Sequence, residues 1–399
     1  MSPSGGAAVT PGPVLFVSNG YGEDAIAGGI VERLLATPGA PRVLAMPLVG
    51  EGRAYNRLGV EVVGPRELLP SGGLILARWA NIFRDLHAGL YRVTVEQIRT
   101  IRALAPTMSA FVAVGDTYPT VLGALFSGRK VIMVGTAKSN YFVPYSWPER
   151  LIFKLFCERV FARDEPTAAT LRARGVNAEW VGNSMMDLLT PTGPPLPLPE
   201  GVHCIALLPG SRAFAYHDLP VILDGVRRLG ERRRLSWTLA LADGIDVNAL
   251  AASVSGDGWR LKPVPDQKAD GLEGSLVGHG QSVLLVRGRF GDVLDAATMV
   301  VGQAGTGNEQ AVGVQRPVVS FDSEGRSKPG WYRARQIGLL GEAMAVVPRS
   351  GEAISEEVLR ILDDPRRFEA MQRAGVERMG PPGASERIAQ FILSSSAGA

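Results

Sequence analysis

Five prolines fall within nine residues, at positions 191, 194, 195, 197 and 199, and the chain on either side repeats one pattern. Short apolar runs alternate with amphipathic stretches of helical length. Prolines at that density make a semi-rigid spacer and exclude a helix or central strand running through it. The alternation itself predicts βαβ units with buried parallel strands. The chain therefore divides into an expected first α/β domain at 1–190, a linker at 191–199, and a second α/β domain at 200–399 that includes the C-terminal helices. Two such halves joined by a hinge place a ligand in a cleft between them, outside the carboxyl ends of the strands.

In the first half, strands are expected at 14–18, 43–48, 61–63, 110–114, 130–134, 160–162 and 178–181. Helices are expected at 24–36, 76–104, 118–126, 148–157 and 165–174. In the second half the strands are 204–208, 237–241, 282–286, 299–301 and 318–321, with a helix at 215–229 and a mostly helical stretch at 352–392. Residues 1–13 are small residues, Gly and Pro without positive charge, and read as a frayed tail rather than a signal peptide.

Composition excludes several classes. Hydrophobic residues at 46% against 20% charged imply folded cores rather than disorder. Basic and acidic residues nearly balance, 42 against 39, so no nucleic-acid partner is implied. Of the 42 basic residues 36 are Arg, which suits bidentate phosphate recognition, although GC-rich coding gives the same bias. No run of 18 apolar residues exists to span a membrane. Cys157 and Cys204 lie in apolar runs without metal-ligand spacing, as buried thiols do in a reducing cytoplasm. His87, His203, His217 and His279 lack ligand spacing too; only His217 follows a loop of interest. No Asp-x-Asp pair is present, so a diphosphate would be met by backbone dipoles and Arg rather than by a Mg²⁺ held on such a pair.

The chemistry gathers at strand ends. Ser18-Asn19-Gly20-Tyr21-Gly22-Glu23-Asp24 follows the first strand, with Asp24 suited to the helix N-cap. It is either a substrate-facing loop or an ordinary βα turn, and it is not the dinucleotide fingerprint. Asp116, after the strand at 110–114, is either a general base or the cap of the next helix. Val181-Gly182-Asn183-Ser184 lines the crevice or simply turns the chain. Leu207-Leu208-Pro209-Gly210-Ser211-Arg212 brings a glycine, a hydroxyl and a guanidinium to a strand end, a set that receives a diphosphate. Gly302-Gln303-Ala304-Gly305-Thr306-Gly307-Asn308-Glu309-Gln310 opens a helix after 299–301, where backbone N–H groups favour an anion. Between Arg66 and Arg102, Trp79, Ile82, Phe83, Leu86, Leu90 and Tyr91 interleave with Arg78, Arg84 and Arg92. That stretch either docks on an anionic bilayer or packs its apolar face on the sheet.

In this order the motifs resemble the lipid-A-disaccharide synthase family, and most closely the uncharacterised lipid-A-disaccharide synthase-related proteins. The resemblance spans residues 14–319, with Leu207-Leu208-Pro209-Gly210-Ser211-Arg212 its most specific string. It implies the glycosyltransferase-B fold, two Rossmann-like domains facing a central cleft, the first acceptor-side and membrane-facing, the second donor-side. It further implies a metal-independent, cofactor-free, inverting hexosyltransferase of lipid A biosynthesis. Such an enzyme moves a hexosamine-type sugar from a UDP-sugar to a lipid or glycolipid acceptor, in the cytoplasm and peripheral on the inner membrane surface. Carried over, Ser18, Asn19, Gly20, Gly22, Glu23 and Asp24 stand at the family's acceptor-side loop, with Asn183 beside them. Asp116 stands at the catalytic base. Gly210, Ser211 and Arg212 match the nucleotide-diphosphate loop, and Arg212 would stabilise the leaving group. Gly305 and Thr306 match the donor loop, which continues through Gly307, Asn308, Glu309 and Gln310.

The family reads Gly-Thr-Ala-Thr-Leu-Glu here, and an ungapped match puts Gln310, not Glu309, at the ribose-binding Glu. One residue turns a helical side chain by about 100°. The family's double Asp is single here, and 321–331 has no counterpart. Two other readings share the motifs: a non-hydrolysing UDP-N-acetylglucosamine 2-epimerase, and a non-catalytic nucleotide-sugar-binding protein in which Gln310 marks a lost function.

Overall fold

The computed structural model describes residues 12–65, 90–211, 214–263, 270–322 and 330–397. Arg212 and the 66–89 part of the Arg-rich stretch lie outside the described residues. The chain divides into two compact units, Met1–Leu188 with Pro382–Ala399, and Leu189–Pro381.

The first unit runs β1 (Val14–Ser18), α1 (Tyr21–Leu35), β2 (Val43–Pro47), α2 (Arg53–Arg57), β3 (Glu61–Val62), α3 (Leu90–Leu104) and β4 (Ala110–Gly115). It continues with α4 (Thr117–Phe126), β5 (Val131–Gly135), α5 (Trp147–Phe156), β6 (Cys157–Phe161), α6 (Glu165–Ala173) and β7 (Ala178–Glu179). The seven strands form one parallel sheet in the order β3-β2-β1-β4-β5-β6-β7. β1, β2 and β5 are buried at every position, which is why they read as unbroken apolar runs. Cys157 takes an extended backbone and starts β6, so α5 ends one residue earlier than the pattern indicated.

The second unit runs β8 (Cys204–Leu208), α7 (Phe214–Arg232), β9 (Ser236–Leu241), α8 (Val247–Ala252), β10 (Arg260–Lys262), β11 (Leu272–Gly278), β12 (Gln281–Arg287) and α9 (Phe290–Ala296). It continues with β13 (Met299–Gly302), α10 (Thr306–Gly313), β14 (Val318–Phe321), α11 (Gly330–Leu340), β15 (Met344–Val347), α12 (Gly351–Leu362) and α13 (Pro365–Met379). Its sheet has the order β10-β11-β12-β9-β8-β13-β14-β15, parallel except at β10–β11–β12. β11 escapes the sequence pattern because it is half-buried and glycines interrupt its apolar residues (LEGSLVG), whereas its hairpin partner β12 contains the strand expected at 282–286. The hairpin turns at His279-Gly280, both at positive φ (51° and 73°), as tight hairpins require.

Two expectations about domain limits need correction. The proline-rich segment, expected as a semi-rigid linker at 191–199, packs as part of the second unit. Asp292, on α9, accepts from the Thr192 N–H (3.0 Å) and the Gly193 N–H (3.1 Å), while Arg289 bonds both Asp292 and the Pro194 carbonyl. Burial opposes ionisation of Asp292, but the Arg289 guanidinium and these amides outweigh it and hold the carboxyl at about 2. The C-terminal helices also do not all close the second half. A further helix, α14 (Ala384–Ala397), returns to the first unit. Its Ile388 and Ile392 are buried, Phe391 meets Phe161 edge-on at 5.4 Å, and Asp187 accepts from the Ser385 N–H at 2.7 Å. Amphipathic spacing announces a face to bury but not the partner that buries it.

Strand order reverses between β1 and β4 in one unit and between β8 and β13 in the other. At such a switch point adjacent loops leave the sheet in opposite directions and open a crevice at the strands' carboxyl ends. The first crevice gathers the loops after Ser18 and Gly115, and the second those after Leu208 and Gly302.

Candidate functional site

At the first switch point Ser18 is fully buried at the end of β1. Its hydroxyl donates to Asp24 Oδ1 (2.6 Å) and meets the Tyr55 hydroxyl at 2.7 Å. Asp24 is therefore not the helix cap the sequence indicated. Gly20 precedes α1, and Asp24 lies in its first turn, aimed inward. Burial, opposed by Ser18 and aided by the charge of Glu23, lifts the Asp24 carboxyl to about 6. Glu23 Oε1 accepts from the Thr136 hydroxyl (3.1 Å), tying this loop to the end of β5. Gly22 is exposed and Asn19 half-buried. Gly115 holds φ +134°, and a Cβ there would stand 3.0 Å from the Asn19 Cβ, so only glycine lets these two loops approach.

Asp116 caps α4, accepting from the Tyr118 N–H at 2.9 Å, so the capping reading holds as geometry. The same carboxyl is chemically perturbed. Burial raises it from its ordinary value, the Tyr118 amide opposes, Glu149 raises it further, and Lys138 and the Asn19 side chain lower it. Glu149 was not singled out in the sequence, nor was Lys138. Glu149 accepts from Lys138 Nζ (2.7 Å), the Thr117 hydroxyl (2.6 Å), and the Ser146 N–H (2.8 Å) and hydroxyl (2.7 Å). Burial resists its ionisation, but these donors outweigh burial and hold it at about 2. Ser146-Ser/Thr-type spacing to Glu149 is a capping box, S-x-x-E, a signal readable before α5. The site thus pairs a fixed anion with a raised, half-buried carboxyl.

Asn183 is buried, and its Oδ1 accepts from the Met185 N–H (3.2 Å) to start the turn Ser184–Leu188. It lines a small cavity with Thr136 and Arg163, whose Nη1 donates to the Thr136 carbonyl (2.9 Å).

At the second switch point Gly210 holds φ +110° and Ser211 is exposed. Gly305 precedes α10, Thr306 is exposed at its first turn, and Gly307 is half-buried. Asn308, Glu309 and Gln310 are all buried. The Asn308 amide donates back to the Gly302 carbonyl (3.1 Å), and Glu309 lies 3.9 Å from Arg335. The loop therefore offers a ligand the backbone around Gly305–Gly307 and the Thr306 hydroxyl, more than the three side chains that follow. Beneath it lies a buried polar layer in which Gln303 of the loop motif meets Ser320, Arg333 and Gln336, three residues the sequence did not mark. His217 is exposed on α7, and beside it the buried Asp218 pairs with Arg349 at 2.9 Å. Burial pushes the Cys157 thiol up to about 12, as for an inert core cysteine. Among the described residues no helix is long and apolar enough to cross a membrane.

No family model matches the chain. A lipid-A-disaccharide synthase of Myxococcus xanthus (strain DK1622) is 26% identical over 298 residues, 66% of this chain and 70% of that protein. Among solved structures, a candidate UDP-N-acetylglucosamine 2-epimerase from Listeria monocytogenes superposes with a TM-score of 0.62 at 14% identity, covering 97% of each chain. The calicheamicin glycosyltransferase CalG4 superposes with a TM-score of 0.60 at 14% identity, over 97% of this chain and 98% of that one. The chain has the glycosyltransferase-B fold, two Rossmann-like α/β units with parallel-strand sheets.

Proposed function

We propose that this chain is a metal-independent, inverting glycosyltransferase that moves a hexosamine-type sugar from a UDP-sugar to a lipid-linked acceptor. The observation that carries the reading is Asp116, a raised carboxyl at a switch point, beside the fixed Glu149 anion. In the proposed step Asp116 takes the acceptor hydroxyl proton as that oxygen bonds to the sugar's anomeric carbon. The bond from that carbon to the diphosphate oxygen breaks, and UDP leaves with its electron pair. Negative charge grows on the diphosphate, where the Gly305–Gly307 backbone, the Thr306 and Ser211 hydroxyls and Arg212 would receive it. The chain has no Asp-x-Asp pair to carry a divalent ion into this step.

A lipid-linked acceptor finds support on α5. Glu149 faces inward to Lys138 and Thr117, whereas Trp147 (70% exposed), Leu151 and Leu155 form an apolar stripe on the outer side. Lys154 lies on that outer side, and Lys130 Nζ caps the helix end at the Leu155 carbonyl (2.7 Å). α4 adds the exposed Tyr118 and Leu125 and contains no charged residue. An exposed Trp and Leu stripe edged by lysines fits an anionic bilayer surface.

The test is turnover of UDP-N-acetylglucosamine with and without a glucosamine-based glycolipid acceptor. Sugar transfer that needs the acceptor and yields the inverted linkage supports the reading. Epimerisation of the nucleotide sugar alone would replace it with the epimerase, and UDP binding without turnover would leave a binding protein.

A further inference from the structure

The loop between β13 and α10 is shaped from below, and one side chain sets its polarity. Arg333, on α11, is buried, and its donors reach Gln303 Oε1 (2.8 Å), Gln336 Oε1 (3.2 Å), the Ser320 hydroxyl (2.8 Å) and the Phe321 carbonyl (2.5 Å). A guanidinium only donates. Each glutamine must therefore turn its oxygen to Arg333 and its NH₂ away. The Gln303 NH₂ then reaches the Phe321 carbonyl (2.6 Å), and the Gln336 NH₂ reaches the carbonyls of Ala304 (2.8 Å) and Gly305 (3.4 Å). Ser320 spends its own proton on the Gly302 carbonyl (2.6 Å).

The consequence lies in the loop's backbone. In a planar trans peptide the C=O and the following N–H point in opposite directions. Anchoring the Ala304 carbonyl to Gln336 on the buried side directs the Gly305 N–H the other way, while the Gly305 carbonyl, which accepts the first helical N–H groups of Asn308 and Glu309, turns the Thr306 N–H outward. Those two N–H groups open α10, where an anion is favoured.

We infer that Arg333 is a positioning residue for diphosphate recognition: it orients Gln303 and Gln336, which hold the 302–305 turn with its N–H groups outward. The inference rests on the donor reading proposed above and extends it to Arg333 and Gln336, which no motif marks. Arg333 does not touch the ligand; it acts through Gln336.

The experiment titrates UDP and uridine, measured calorimetrically, into the wild type, Arg333→Gln and Gln336→Glu. Uridine shares the base and ribose but lacks the diphosphate. Gln336→Glu keeps the side-chain volume and its acceptor toward Arg333 but has no NH₂ for the loop carbonyls, so it tests the idea even if Arg333→Gln fails to fold. The expected result is a loss of about tenfold or more in UDP affinity with uridine affinity unchanged. Equal losses for UDP and uridine, or no loss for UDP in a folded Gln336→Glu protein, would overturn the inference while leaving the donor site in place. A wild type that binds UDP no better than uridine would overturn the donor reading and this inference with it.

Discussion

Lys138 Nζ lies 2.7 Å from Glu149 Oε2, and Asp116 feels both charges with opposite sign. The ammonium lowers the Asp116 carboxyl and the carboxylate raises it, with burial the larger raising influence. The pair therefore adjusts, on top of burial and the Tyr118 amide, the pH at which Asp116 can accept a proton.

Asp116→Asn removes the proton acceptor but keeps a side chain that caps helices about as well. Turnover should fall by about 10²–10⁴ with the melting temperature little changed. Lys138→Met removes the lowering influence, so the acid limb of the pH–rate profile should move to higher pH. A profile that stays put in Lys138→Met, or turnover that survives in Asp116→Asn, would take Asp116 out of the chemistry.

Arg212 follows Ser211 in the string that best matches a diphosphate loop. Replacing it with Ala should cut turnover by about 10²–10³, the usual effect of losing one electrostatic contact to a leaving group. Steady-state kinetics on a variant with wild-type thermal stability decides this. A loss below tenfold would remove Arg212 from the mechanism.

Asp24 makes a stability prediction independent of any ligand. Its folded carboxyl sits at about 6 against an ordinary 3.8, so between those values the folded state binds the proton more tightly. Stability from this group is fully present below about 4 and is lost as pH rises through about 6. Asp24→Asn should flatten that fall, by up to about 3 kcal/mol. Urea midpoints of both proteins from pH 4 to 7.5 would show it; parallel curves would mean that Asp24 titrates normally.

The α5 stripe predicts co-sedimentation with vesicles containing anionic phospholipid and little binding to neutral ones. Lys154→Glu should weaken the binding by about fivefold or more and leave acceptor-free UDP binding alone. Trp147→Ser should act in the same direction. Equal binding to neutral and anionic vesicles would argue against this surface, as would self-association through α5 detected by ultracentrifugation.

The sequence exposed the strand ends well. Fully buried parallel strands such as Val14–Ser18 and Cys204–Leu208 are continuous apolar runs, and the glycine-rich loops stand directly after them. Asp116 and the Gly305–Gly307 turn were legible for that reason. Side chains that arrive from elsewhere were not. Lys138 and Glu149 reach Asp116 from the segment after β5, and only folding shows that they share its crevice. Arg333 and Gln336 look like ordinary polar positions of a helix, because burial beneath a loop leaves no periodic trace. Asn308, Glu309 and Gln310 were legible as neighbours of a ligand-type loop, but their burial was not, because a helix's first turn carries no sequence mark of which side chains the unit covers. Asp24 likewise matched the composition of a helix cap while serving Ser18 inside the unit.

The return of α14 to the first unit orders events on the ribosome. Gly29 of α1 lies against Ser385, Asp187 waits for the Ser385 amide, and Phe161 for the Phe391 ring, and these partners are translated only after the whole of Leu189–Pro381. The first unit must leave the exit tunnel with the α1 groove uncovered and hold it so for about ten seconds or more, at roughly 5–20 residues per second. Nascent chains stalled before Ala384 should therefore expose a docking groove to proteases and chaperones that the finished protein has sealed.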